Sequence, residues 1–257
     1  GILCDSKSSP TIRDCVFSHC KVVGTGTVQE VGGGGIACKG QSSPTIERCK
    51  FEYCAADAGS STKASGGAIY LEKDCRARIS TCEFTACSAT DNGGAIYTAG
   101  SGASIEVCSF SGNSAEYGGA VYFDKDPNAT MKLCKFFDND TGTTGQGGAV
   151  YVSQASTKIE RCHFVKNNAD TGGALTYNGV TMSDYALISC FFEGNSATSG
   201  GGAVATIGSV VRIVNCLFAK NECTRIGGGA LLLGVFSQSN QSVLTNCTIF
   251  GLSLIHI

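Results

Sequence analysis

Sixteen cysteines, three histidines and one close group of aspartates are the residues with the means to do chemistry in this chain. A Ser-His-Asp or Cys-His relay needs an imidazole within hydrogen-bond reach of its nucleophile. His19 and His163 lie many residues apart, each beside a cysteine, and read as solvent-facing substitutions rather than as parts of a relay. Carboxylates alone can serve glycoside hydrolysis when two face one bond. The densest group is Asp124, Asp126, Asp138 and Asp140; Asp138 and Asp140 flank Asn139, so the group reads as solvated turn charges. Cys-x-x-Cys spacing of the zinc type is missing, because the short pairs are Cys-x4-Cys, as in Cys15 and Cys20. No catalytic set, metal site or cofactor is expected.

What must position all these residues is a repeat. Cys-x-Phe starts at Cys15, Cys49, Cys82, Cys108, Cys134, Cys162, Cys190 and Cys216, and a ninth copy at Cys247 carries Ile249 in place of Phe. Three residues before each cysteine stands Ile, Leu or Met, from Ile12 through Met131 to Leu244. A second element, Gly-Gly-Ala followed by Ile, Val or Leu, starts at Gly66, Gly93, Gly118, Gly147, Gly172, Gly201 and Gly228, with a Gly-Gly-Gly-Ile version at Gly33. A fixed period of this length means a stack of similar units. The pieces alternate with period two and are rich in Ile, Val, Phe and Tyr, as strands are, and no apolar 3.6-residue period runs far enough for a helix.

A strand–turn–strand unit repeated in this way predicts an all-β fold: a single-stranded parallel β-helix of about nine coils, a rod of roughly 40 Å at about 4.8 Å per coil. Residues 1–251 form that domain. The last six residues, 252–257, match one reading frame of a common sequencing adaptor; they are set aside as a scar, and the chain is expected to be a fragment. Length differences between units are expected in turns on one side. Ile, Cys and Phe should form internal ladders. Asn113, Asn139, Asn167, Asn195 and Asn221 form another, at a slot held by Cys20, Cys54 and Cys87 in the first three coils; asparagine there is expected to supply the left-handed corner and a stacked amide ladder. Stacked cysteines have parallel Cβ vectors about 4.8 Å apart, wider than the ~3.8 Å of a disulfide, so the nine ladder cysteines are expected as buried free thiols. Cys4, Cys38, Cys75 and Cys223, outside both ladders, are the better disulfide candidates.

Tyr70, Tyr97, Tyr122 and Tyr151 share one slot in four successive coils, continued by Thr176, Ala205 and Leu232. The preceding Ile or Val should point inward, so the tyrosines are expected as an exposed outer column able to stack on a sugar or a partner protein, although same-face stacking within a sheet would account for them as well. Asn-x-Ser/Thr occurs at Asn128, Asn139, Asn240 and Asn246; Asn139 and Asn246 are expected to be inaccessible, which leaves Asn128 and Asn240 open to glycosylation in a eukaryotic secretory host. A net charge of −2 with mixed signs gives no basic stripe for nucleic acid, and no apolar run reaches the ~18 residues of a membrane span.

Phe-x-x-Asn alternating with Gly-Gly-Ala-Ile/Val/Leu, as in Phe110-Ser111-Gly112-Asn113 leading to Gly118-Gly119-Ala120-Val121, resembles the chlamydial polymorphic outer-membrane protein repeat, strongly over about Gly66 to Ala230. The first two coils, with Ser-Ser-Pro-Thr-Ile at Ser8 and Ser42, are more similar to generic right-handed β-helix repeats. The resemblance implies a right-handed helix and a passenger displayed at the cell surface, outer membrane or outside the cell, often adhesive, meeting a host or environmental protein or glycan. A non-enzymatic passenger or stalk is the expectation. The alternative is a polysaccharide lyase or glycoside hydrolase on the same fold. Pectin-degrading β-helix enzymes would carry Gly-His-Gly and Arg-Ile-Lys, which are absent, and Arg76 and Arg78 are expected to lie near no aspartate cluster.

Overall fold

Alternation of inward and outward residues, broken at fixed places, bends this chain into coils. From Ile69 to Cys87 one coil sends inward Ile69 and Leu71 from its first strand, Ile79 from its second and Phe84 from its third. Cys75, Ala77, Cys82 and Cys87 fill the bends between them, and all eight are at most 1% exposed. Between Ile79 and Cys82 stand two outward residues instead of one, because Thr81 adopts φ +54°. That single left-handed residue shifts the parity of the alternation and turns the strand. The structure, a computed structural model, describes residues 1–26, 30–60, 63–180, 187–234 and 242–254.

The coils stack into three parallel sheets of nine strands each. Sheet 1 runs from Ile2–Cys4 to Leu231–Leu233, sheet 2 from Thr11–Arg13 to Val243–Thr245, and sheet 3 from Val16–Ser18 to Thr248–Phe250. Each strand pairs in register with its equivalent one coil away, so Ile69 meets Ile36 and Ile96, and Phe84 meets Phe51 and Phe110. The described residues contain no helix. The fold is the parallel β-solenoid expected from the repeat. Ser253–Leu254, set aside as a scar, pairs with Glu222–Cys223.

Three ladders fill the interior. Phe17 through Phe218 form a column of eight rings, with neighbouring centroids 4.7–4.9 Å apart and planes within 9° of parallel. Each contact is worth about 0.5–1.5 kcal/mol beyond the area it buries. The Cys-x-Phe cysteines form the second column, each thiol lying 3.2–3.4 Å from the carbonyl two residues before it. All are free thiols, and only Cys15 and Cys247 at the two ends are half-buried.

In the third column the Asn139 side-chain oxygen accepts from the backbone N–H of Asn113 at 3.0 Å and from its amide at 2.9 Å. The Asn139 amide donates to Phe110 O at 3.1 Å and to Asn167 Oδ1 at 2.9 Å. The same bonds recur along the column to Asn221, which donates to Phe192 O. Cys87 substitutes for asparagine with two of the same connections: its N–H donates to Asn113 Oδ1 and its thiol to Phe51 O.

Three expectations need correction. Asparagine does not supply the left-handed corner. The residue before it does: His19, Tyr53, Ala86, Gly112, Asp138, Lys166, Gly194 and Lys220 all have φ between +50° and +63°. Turning the chain one residue earlier frees the asparagine to point inward and bond along the stack. Cys4, Cys38, Cys75 and Cys223, expected as disulfide partners, are free and buried. Cys4 and Cys38 pair in register in sheet 1, so the parallel Cβ vectors that keep the ladder thiols apart act there too; Cys223 has Ala197 and Leu254 as its register neighbours. Length variation, expected on one side, occurs at two corners, both flanking sheet 1: the turn between sheets 1 and 2, and the stretch leading into Gly-Gly. In the first two coils that stretch adds the paired strands Glu30–Gly32 and Lys63–Ser65. The Gly-Gly corner itself is tight. Gly93 has φ +59°, and a Cβ on Gly94 would lie 2.2 Å from Gly119 O.

Replacing Asn139 by Ala removes four bonds and leaves the amide of Asn113 and the carbonyl of Phe110 buried without those partners. A loss of about 3 kcal/mol in urea unfolding is expected. Asn168→Ala, which removes only an exposed bond to Asp140, should cost under about 1 kcal/mol.

Candidate functional site

The tyrosine slot of sheet 1 is where the sequence placed a binding surface. The register is as expected: Tyr70, Tyr97, Tyr122, Tyr151, Thr176, Ala205 and Leu232 follow one another across the sheet. Ring centroids lie 5.0–5.5 Å apart. The exposure is not as expected. Tyr70, Tyr97 and Tyr151 are 9%, 6% and 4% exposed, and Tyr122 is half-buried.

A strip of backbone entering the Gly-Gly corner covers them. Glu30–Gly32 pairs with Lys63–Ser65, and bridges continue the strip through Asn92, Tyr117, Gln146 and Thr171. A Cβ on Gly32 would lie 2.4 Å from the Tyr70 ring, and Tyr117 packs edge-on to Tyr151 at 5.3 Å. The hydroxyls reach a polar rim: Tyr70 donates to Glu30, Tyr97 donates to Asp124, and Tyr151 accepts from Asn178. The column therefore glues the strip to the sheet and offers edges and hydroxyls, not ring faces, to solvent.

The open surface lies at the next corner, in the turns from sheet 1 to sheet 2. Two clefts meet at Gly100. One, of about 440 Å³, is walled by Asp74, Arg76, Ser101, Pro127 and Asn128. The other, of about 310 Å³, is walled by Lys73, Ala99, Asp124 and Lys125. Lys73, Asp74, Arg76 and Lys125 are exposed, and Asp124, which receives the Tyr97 hydroxyl, is half-buried. Coil stacking brings Arg76 beside Ser101, Pro127 and Asn128 of the next two coils, and the aspartate that shares its cleft is Asp74 of its own turn. Arg78 lies elsewhere, beside Ser80 and Glu106 over sheet 2.

Asp126 also departs from expectation. It is fully buried rather than a solvated turn charge, and accepts from Ser101 N at 3.1 Å, Ser101 Oγ at 2.9 Å and Gly102 N at 2.7 Å. The turn one coil below has backbone donors with no strand partner, and this carboxylate satisfies them. The signal was present in Gly100-Ser101-Gly102, one repeat before Asp126, but it is readable only once the coils are aligned. Asp138 and Asp140 are exposed as expected.

His19 and His163 are exposed, stacked on Tyr53 and edge-on to Phe191 respectively. No group of three or more His, Cys, Asp or Glu able to hold a metal occurs among the described residues. Asn128 is exposed and Asn139 buried, as expected; Asn246, expected to be inaccessible, is exposed at the left-handed corner and bonds to Asn215. Asn240 lies outside the described residues. No helix among them is long and apolar enough to cross a membrane.

Burial sets the protonation of the two stacked families. It pushes the thiols of Cys38, Cys49 and Cys75 up from their usual range. The phenols of Tyr70, Tyr97 and Tyr122 are pushed up in the same way, with Glu30 adding to the effect at Tyr70 and Tyr97. In each case the folded state holds a proton that the unfolded chain releases from about pH 8.5 for thiols and about pH 10 for phenols. Stability from these groups is complete below about pH 8.5 and falls as pH rises beyond it. The melting temperature should be level from pH 7 to 8 and drop steadily above pH 9; a level value to pH 10.5 would contradict this burial.

Comparison with known families agrees with this geometry. The Chlamydia polymorphic membrane protein repeat matches residues 189–207, the unit holding Cys190, Asn195 and Gly201. No curated protein and no solved structure gives a significant match. The right handed beta helix region family matches residues 1–192 of the 257, and the chain belongs to that family.

Proposed function

We propose that this chain is a non-enzymatic passenger or stalk of a cell-surface or secreted protein, and that it mediates adhesion through the turns beside sheet 1. The observation that carries this reading is the unbroken in-register stacking of all three sheets. The coils spend their interior on repeated apolar rungs, chiefly Phe, Cys and Ile, so variable side chains are left to the corners and the outward faces. A rod with a constant core and variable outer positions suits display, because corner residues change without disturbing the stack. The polymorphic membrane protein repeat at residues 189–207 supports a surface location at the outer membrane or outside the cell.

A second reading, a polysaccharide lyase or glycoside hydrolase, draws on the clefts at Gly100, where Lys73, Arg76 and Lys125 meet Asp74 and Asp124. Against it stands the spent state of the deepest carboxylate, Asp126, whose oxygens are held by one turn. Neutral and acidic polysaccharides incubated with the protein should yield no new reducing ends and no unsaturated products, while the labelled protein attaches to cultured cells or a glycan array. Turnover of any polysaccharide would replace the stalk reading with the enzymatic one, and attachment to no surface would remove adhesion.

A further inference from the structure

The clefts at Gly100 carry cations without partners. Lys73, Arg76 and Lys125 are exposed and make no ion pair among the described residues, as is also true of Lys39 and Lys135, while Arg48, Lys50 and Lys158 are tied to carboxylates; what sets the three apart is that they line two adjoining clefts. Their placement is fixed by the stack. Gly100 lies between the coils of Lys73 and Lys125: a Cβ there would sit 3.7 Å from Lys73 Cγ and 3.4 Å from Lys125 O. The Gly100 carbonyl accepts from Asp74 N, and its own N–H donates to Asp124 O. Lys73 and Lys125 are thus held two coils apart, about 9.6 Å along the axis. Asp126, by clamping Ser101 and Gly102, holds the floor between them rigid. Asp74 and Lys125 adopt φ +66° and +47°, left-handed values that non-glycine residues hold only where their surroundings impose them.

We propose that these two clefts form one groove that binds an extended anionic glycan, its carboxylate or sulfate groups meeting Lys73, Arg76 and Lys125. The two-coil interval is of the order of one disaccharide. Asp74, Asp124, Ser101 and Asn128 line the same groove; such acceptors suit the hydroxyls that a glycan presents between its charged groups. The groove runs along the axis, so a linear polymer can follow it. This inference rests on the surface-interaction reading and gives that reading a ligand class and a place.

The test is calorimetric titration of the protein with heparin-derived oligosaccharides, with oligogalacturonates, with cellohexaose and with single-stranded DNA, at low and high salt. At least one anionic series should bind, weakening with salt, and the neutral sugar should not; which series binds identifies the sulfated or the carboxylated source. Single Lys73→Ala, Arg76→Ala and Lys125→Ala variants should each lose about two- to five-fold in affinity, the triple variant ten-fold or more, and Lys135→Ala on sheet 3 nothing, with circular dichroism and melting temperature unchanged throughout. Absence of anionic binding, full binding by the triple variant, or equal binding of cellohexaose or single-stranded DNA would overturn the proposal. A triple variant that still attaches to cells like the parent would leave adhesion standing and remove this groove as its site. Oligosaccharide binding without cell attachment would do the reverse.

Discussion

Every structural feature of this protein depends on one constraint: equivalent residues of successive coils lie directly above one another at the spacing of hydrogen-bonded strands. At that spacing a flat ring fits its own copy, which is why Phe17 to Phe218 form a column with planes within 9° of parallel. An amide fits its own copy too, because its two ends are complementary. Asn113 to Asn221 satisfy one another and the backbone of the corner. A thiol fits as a small apolar filler but not as a disulfide, since parallel Cβ vectors keep stacked sulfurs apart. The same rule leaves Cys4 and Cys38 unbridged in sheet 1.

The constraint also decides where function can sit. Inward positions are shared by every coil, and a change in one rung is felt by both neighbours. Outward positions on sheets 2 and 3 carry isolated ion pairs, such as Lys50 with Glu83, that contribute little at the surface. The two corners flanking sheet 1 differ from coil to coil. One corner has become a covering strip that buries the tyrosine column; the other has opened into the clefts around Gly100. The structural use of the tyrosines and the polar use of the turns are two outcomes of the same freedom.

The fold was legible in the sequence because its determinants are local and repeated. Cys-x-Phe, Gly-Gly-Ala and the asparagine slot each mark one position in a coil, and their spacing sets the register. What escaped notice depends on contacts between coils at the variable corners. The burial of Tyr97 requires the strip, whose residues share no motif. The role of Asp126 requires knowing that it lies beside Ser101, and the company of Arg76 requires the same alignment. The left-handed corner was assigned to asparagine on propensity, yet Val107 and Leu133 hold equivalent left-handed corners before the cysteine column. The stack imposes those angles, and intrinsic preference yields to it.

The most direct test of the stacked core is the reactivity of the native thiols. Iodoacetamide labelling followed by peptide mass spectrometry should modify Cys15, Cys20 and Cys247, the three half-buried cysteines, and leave the others unlabelled until denaturant is added, whereupon all sixteen react. Rapid native labelling along the column from Cys49 to Cys216, or thiols found already paired as disulfides after denaturation, would contradict the ladder on which the account stands.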